Sequence, residues 1–371
     1  MKLRIWGKLG LVMLIVISIV YLTMKYRTDR PSESYYTVED FSRIKKIDAH
    51  VHIGTKDQSF MEQAIEDNFQ VISINTEVPD YPPLEDQENL CVALKKDFPE
   101  NIFYLSTFET QTILEPQWQG QTLSHLKRTI DAGAIGIKVW KNIGMVVKDG
   151  NGEFIMIDDP VFDTIFNYLE KEKITVLGHI GEPKNCWLPV EEMTVNNDKN
   201  YFTKYPEYHM YLHPENPSYE KLIAARDNLL VKHPELTFVG AHLGSMEWSV
   251  DIISQHLERF PNMSVDLTDR ICHLQVQSLK NRQKVQDFFT KYQDRIIYGT
   301  DLEPVDSITS EIKKMAHEIW LRDWKYFITD ETMNAPAVTG SFKGLKLDKE
   351  IIDKIYYRNA IKWYPLMASK D

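Results

Sequence analysis

The chain has 371 residues, 43% of them apolar and 26% charged, with a formal net charge of -11. That length exceeds one small domain and suits a barrel with insertions, and the apolar share is that of an ordinary globular core. The negative balance, with no basic stripe, argues against nucleic-acid binding, and three scattered cysteines without a CxxC pair give neither a disulfide framework nor a cysteine-type zinc site.

Lys2, Arg4 and Lys8 precede an apolar run from Leu9 to Met24, and Lys25, Arg27 and Arg30 follow it. A basic start before a hydrophobic run is the pattern of a targeting segment. Residues 1–27 are therefore expected to form a hydrophobic signal-anchor helix, with a cleaved signal peptide as the alternative. On this reading the chain meets a membrane through that helix, and its body is exported, in a periplasmic or other extracytoplasmic space. Residues 28–43 read as a polar tether, and residues 44–371 as one domain.

Beyond the tether, strand-like runs alternate with helical ones. The first is Ile47-Asp48-Ala49-His50-Val51-His52-Ile53-Gly54, where apolar and polar residues alternate. Side chains two apart on a strand share a face, so His50 and His52 lie about 7 Å apart along the chain, a spacing that suits two ligands of one ion. Further strands are expected at 70–75, 102–108, 135–140, 174–179, 236–242, 262–267 and 295–300. Helices are expected near 88–98, 122–132, 160–173, 218–232, 276–292, 307–327 and 348–364. Eight strands alternating with helices, and no glycine fingerprint after the first, fit a closed (β/α)8 TIM barrel better than an open doubly wound sheet. After the fifth strand a long loop carries Cys186, Trp187 and four tyrosines, Tyr201, Tyr205, Tyr208 and Tyr211. Long loops in compact domains are usually functional, so a lid is expected there, with a dimer contact as the alternative.

In such barrels the chemistry sits at the carboxyl ends of the strands. Those ends hold His50, His52, Lys138, His179, His242, Asp266 and Asp301. A lone strand-end histidine is usually structural, but four histidines and an aspartate converging on one mouth make a ligand set for a divalent ion such as Zn2+. Lys138 shares a strand face with Gly136 and Trp140, and a lysine turned into a barrel needs a partner there. Around the mouth, Trp140, Glu182 and Arg270 are candidate substrate contacts.

The motifs Gly178-His179-Ile180-Gly181, Gly240-Ala241-His242-Leu243-Gly244 and Tyr298-Gly299-Thr300-Asp301, with His50-Val51-His52, resemble the amidohydrolase superfamily. More narrowly they are similar to its amidohydrolase-2 group of hydrolases and nonoxidative decarboxylases, from about Ile44 to Tyr364. The resemblance implies a metal held by His50, His52, His179 and Asp301, one or two ions per chain, with His242 beside them. A divalent ion lowers the pKa of bound water, Asp301 can carry its proton, and His242 can polarise a carbonyl. In binuclear relatives a strand-four lysine is carboxylated and bridges two metals. Lys138 stands at that place, and its other readings are an ammonium for a substrate anion or a lysine paired with a neighbouring carboxylate.

The expectation is thus a metal-dependent hydrolase attacking an amide, ester or lactone carbonyl of a small acidic or sugar-derived substrate. The first alternative is a nonoxidative decarboxylase of an aromatic or unsaturated acid. The second is a binding protein on the same barrel. A homo-oligomer is compatible with the sequence, and a nucleic-acid partner is not.

Overall fold

The computed structural model describes residues 34–370. The Leu9–Met24 run, on which the expected hydrophobic helix and membrane anchor rest, lies outside them. Among the described residues no helix is long and apolar enough to cross a membrane.

The strands are β1 (Lys46–Val51), β2 (Phe69–Ile74), β3 (Ile102–Leu105), β4 (Ile137–Val139), β5 (Val176–Gly178), β6 (Phe238–Gly240), β7 (Met263–Asp266) and β8 (Ile296–Ile297). They pair in parallel as β1-β2-β3 and β4-β5-β6-β7-β8. Two further parallel bridges, Ser106 to Ile137 and Val51 to Leu302, join these groups. At the second junction Tyr298 O accepts from Ala49 N, His50 O from Asp301 N and Leu302 O from His52 N. Each strand therefore has two parallel neighbours, which is the connectivity of a closed (β/α)8 barrel.

The helices are α1 (Ser59–Glu66), α2 (Leu84–Asp97), α3 (Trp118–Asp131), α4 (Asp163–Lys171), α5 (Asn196–Lys204), α6 (Tyr219–Lys232), α7 (Val250–Arg259), α8 (Ile271–Lys291), α9 (Thr309–Ile328), α10 (Lys349–Asp353) and α11 (Asn359–Trp363). Three of them, α1, α5 and α7, fall where the sequence was read as connection. The expected last helix at 348–364 is interrupted by a π-helical turn at Lys354–Arg358.

The barrel interior is filled by Ile47, Ala49, Ile72, Ile74, Leu105, Leu177, Val239 and Ile297, with Trp363, Tyr364 and Met367 of the C-terminal segment packed against them. Asp48 lies on the other face of β1, where its carboxylate accepts from Trp320 Nε1 of α9 at 2.8 Å. Strict alternation would send His50 outward with Asp48. Between Asp48 and Val51, however, the register with β2 advances three residues on β1 against two on β2. That one-residue bulge reverses the phase, so His50 and His52 turn inward beyond Ala49.

The tether was expected at 28–43. From Thr37 onward the chain belongs to the same compact unit as the barrel. Phe41 is buried against Phe69 and Trp324, and Lys46 Nζ donates to the carbonyls of Phe41 and Ile44. A polar composition hid this boundary because one aromatic ring and two backbone carbonyls carry the docking.

Candidate active site

The inward turn of β1 brings two imidazoles to the mouth, and each is oriented from behind. His50 Nδ1 lies 2.8 Å from Asp266 Oδ2, and His52 Nδ1 lies 2.9 Å from Ile74 O. A carboxylate and a carbonyl only accept, so both Nδ1 atoms carry the proton and both Nε2 atoms present a lone pair. Asp301 Oδ1 stands 3.5 Å from His50 Nε2 and 3.3 Å from His52 Nε2. The ligand atoms of His50, His52 and Asp301 all lie within 4.8 Å of one another.

Asp301 owes its place to an unusual backbone. Its φ is +71°, in the left-handed region, held by donation from its N to His50 O at 2.9 Å. The β8 strand can lie this close because residue 299 has no side chain. A Cβ on Gly299 would fall 2.5 Å from Thr268 Oγ1 and 3.0 Å from His50 Cβ. Burial raises the Asp301 carboxyl, but its electrostatic interactions with the His242, His52 and His50 imidazoles outweigh it and hold it well below the usual carboxylate range.

Beyond β6 the chain makes a tight left-handed turn, with φ near +57° at His242, Leu243 and Ser245. Such conformations cost on the order of 1–3 kcal/mol each and persist only where surroundings impose them. Here Asp266 Oδ1 accepts from His242 N at 2.7 Å, Gly244 O from Arg226 Nη1 at 2.6 Å, and Ser245 O from Tyr219 OH at 2.6 Å. The outcome is a His242 ring 5.3 Å from that of His50 and 4.2 Å from that of His179. His242 Nδ1 donates to Thr268 O at 3.0 Å, so its neutral form offers a lone pair at Nε2. In that neutral form His242 accepts at Nε2, and a role in holding negative charge requires that it first gain a proton.

His179 is buried, and its Nε2 has no hydrogen-bond partner. Burial, then the charges of His242, Lys141, Lys138 and Arg270, hold it well below the usual imidazole range, in the neutral form a metal needs. It does not fall within the close three-residue cluster. Lys138 is also buried, with Nζ 3.2 Å from His50 Nε2. Burial pushes its pKa down to about 8, against the pull of Asp301 and Asp266.

The other expected contacts are spread around the rim. Glu182 forms an ion pair with Lys141, whose ammonium lies 5.9 Å from the Trp140 ring. Arg270 is buried and pairs with Asp269, while its Nε has no partner. Direct contacts thus link His50 with His52, Lys138, His242 and Asp301, and His242 with His179, while Glu182 pairs with Lys141 and Arg270 with Asp269.

Sequence reasoning gave no role to Asp266, which accepts from both His50 and His242, and did not single out Tyr81 or Glu303. Asp266 was visible as a polar end to an apolar strand. Tyr81 carried no signal, because its partner Glu303 is distant in sequence.

The site suits a divalent cation on the structure's own terms. Two lone pairs fixed by tautomer, a carboxylate between them and a buried orphan imidazole nitrogen form a nitrogen and oxygen donor set.

The amidohydrolase family pattern matches residues 110–366, a span that includes Lys138, His179, His242 and Asp301 and begins after His50 and His52. No curated protein matches the chain. Among solved structures, an uncharacterised TIM-barrel protein from Bordetella bronchiseptica is 14% identical, covering 88% of this chain and 100% of its own, with a TM-score of 0.47. A 2,6-dihydroxybenzoate decarboxylase from Rhizobium is 14% identical, covering 87% and 99%, with a TM-score of 0.47. A 4-oxalomesaconate hydratase from Rhodopseudomonas palustris is 12% identical, covering 87% and 97%, with a TM-score of 0.47.

Proposed function

Because this chain belongs to the amidohydrolase family, we propose that it is a metal-dependent hydrolase of a small carbonyl substrate, an amide, ester or lactone. The observation that carries the reading is the convergence of His50 Nε2, His52 Nε2 and Asp301 Oδ1, with both imidazoles locked from behind. These three residues, with His179, would hold the ion. When bound, a divalent cation supplies Lewis acidity and makes water a competent nucleophile near neutral pH.

The rest of the chemistry belongs to the side chains. Asp301, kept ionised by its histidine neighbours, accepts the proton of the attacking water and returns it to the leaving group. His242, with its lone pair at Nε2, accepts a hydrogen bond or a proton and, once protonated, faces the developing negative charge. Lys138 binds an acidic group of the substrate or, if carboxylated, would help to hold a second ion. Trp140, Glu182 and Arg270 line the approach. Zn2+ is the ion this donor set favours.

The buried Lys138 ammonium beside His50 also favours a second reading, decarboxylation of an acid whose carboxylate it holds. There the bond to the departing carbon dioxide breaks, and the carbon it leaves takes up a proton that Asp301 first accepts from water and then passes on. The basic and apolar start of the chain supports a membrane-tethered, exported enzyme, and cell fractionation tests that part.

The deciding experiment is metal analysis of the full-length protein, then assays of ester, lactone and amide cleavage beside carbon dioxide release from carboxylic acids. Hydrolysis that is lost with a chelator and restored by Zn2+ is the expected result. Carbon dioxide release without hydrolysis would replace it with the second reading, and a chain that takes up no ion would overturn both.

A further inference from the structure

β1 lies between β2 and β8 in the barrel, so a contact between the loops after those two strands must cross the end of β1, where His52 stands. One such contact exists. Tyr81, in the proline-rich loop after β2, donates its hydroxyl to Glu303 Oε1, in the loop after β8, at 2.6 Å. The Tyr81 ring meets the His52 ring edge to face, with centroids 5.8 Å apart and planes at 66°.

Both ends of this strap are anchored. Tyr81 N donates to Val78 O at 3.0 Å, and Gln87 Nε2 donates to the next carbonyl, Pro82 O, at 2.7 Å. On the other side, Leu302 O accepts from His52 N and Pro304 O from Gly54 N, each at 2.8 Å. Those two bonds fix the backbone on both sides of Glu303, two residues beyond Asp301. Only the Glu303 side chain is left to reach across.

His52 has one hydrogen bond holding its ring, from Nδ1 to Ile74 O. A single bond leaves the imidazole free to rock about that axis, and a neighbouring ring limits the rocking. Asp301 sits in a strained left-handed conformation, and whatever steadies the segment after it steadies its carboxylate. One residue does both. We propose that Tyr81 is a positioning residue of the metal site, its ring bracing His52 and its hydroxyl tying that histidine, through Glu303, to the segment that carries Asp301. The inference rests on the reading of His52 and Asp301 as metal ligands.

The test compares full-length protein with Tyr81→Phe, Tyr81→Ala, Glu303→Ala, the Tyr81→Phe/Glu303→Ala double variant and His52→Ala. Zn2+ affinity is read by competition with a chelator, the Co2+ absorption band reports ligand geometry, and the melting temperature of each metal-free protein reports folding. Supports of metal ligands typically contribute 10–100-fold in affinity. Tyr81→Ala is expected to lose affinity within that range and to shift the Co2+ band. Tyr81→Phe and Glu303→Ala should each lose about tenfold, with the double variant no weaker than either, because both remove the same bond.

If His52→Ala binds Zn2+ like the parent, the reading of the site fails first. If His52→Ala loses the ion while the phenylalanine and alanine variants stay within twofold of the parent, the positioning role is overturned. Should Tyr81→Ala melt early without metal, Tyr81→Phe and Glu303→Ala decide the matter, since both keep the ring in place.

Discussion

Asp266 accepts from three donors, one on β1 and two in the loops after β6 and β7: His50 Nδ1 at 2.8 Å, His242 N at 2.7 Å and Thr268 N at 3.3 Å. Its charge also holds the His50 tautomer that exposes Nε2. Replacing it with alanine leaves those buried donors without an acceptor, at roughly 1–3 kcal/mol each. Asp266→Ala should therefore lower the melting temperature of the metal-free protein and weaken Zn2+ binding by about 10–100-fold. Calorimetry and chelator competition check the two effects, and an unchanged affinity would remove Asp266 from the site. Asp301→Asn is expected to behave differently. It keeps an oxygen for the ion but cannot take a proton, so turnover should fall by about 10²–10⁴-fold while much of the metal is retained. A variant with full turnover would end the proton-transfer role. At this scale the histidines and Asp301 were legible because strand ends and residue type suffice to find them. The tautomer of His242 was not, because it is set by Thr268 O, a backbone atom in the turn after β7.

The segment from Lys184 to Leu212 shows what patterning misses at the scale of an element. Its tyrosines suggested a lid, but Cys186, Met193, Phe202 and Met210 form a small core of their own. Asn185 Nδ2 donates to Asp198 at 2.8 Å, and Asp198 pairs with His273 of α8 at 3.3 Å, tying this core to the barrel wall. The apolar residues are spaced too irregularly for a helical or strand period, so they read as loop. Phe202→Ala should open this core, since such truncations cost about 3–5 kcal/mol where burial is complete. Limited proteolysis is expected to cut between 184 and 212 in that variant and not in the parent. Equal resistance in both would restore the picture of an independent lid. The β1 bulge is a second case: the alternation in the sequence was read correctly, and one extra residue reversed which face it presents.

Helix α9 carries a buried carboxyl that makes its docking depend on pH. Asp323 accepts from Tyr298 OH at 3.0 Å, and burial pushes its pKa up to about 6, against Arg322 and that hydrogen bond. In the unfolded chain the group titrates near the ordinary 3.8. Between those values the folded state binds more protons than the unfolded one, so stability falls as pH rises from about 4 to about 6 and then levels. Asp323→Asn has no such proton to lose. Urea unfolding at pH 4.5 and pH 7.5 should show the variant gaining on the parent at the higher pH, by about 2 kcal/mol. A difference that does not change with pH would mean that Asp323 is ionised in the folded state throughout.

For the whole molecule, the ring of eight strands was legible because each strand is a short apolar run ending in a polar residue, and that rhythm survives without contacts. The beginning of the folded body was not, because a boundary depends on what the residues touch. Phe41 lies 6.2 Å from the Phe69 ring and 6.0 Å from that of Trp324, and Thr37 O accepts from Trp324 Nε1 at 3.2 Å. Lys46, buried at the start of β1, donates to the carbonyls of Phe41 and Ile44, and its ammonium faces the Phe41 and Phe69 rings at 4.6 and 4.7 Å. A chain shortened to begin at Thr37 keeps all of these contacts. A chain shortened to begin at Ile44 loses the Phe41 ring, one of the two carbonyls and the acceptor for Trp324. Removing a buried phenylalanine alone costs about 3–5 kcal/mol. The shorter chain should therefore unfold at clearly lower urea, and because this docking lies at the amino ends of the strands, opposite the mouth, it should bind Zn2+ as before wherever it is folded. Coincident midpoints for the two shortened chains would return residues 37–43 to the tether.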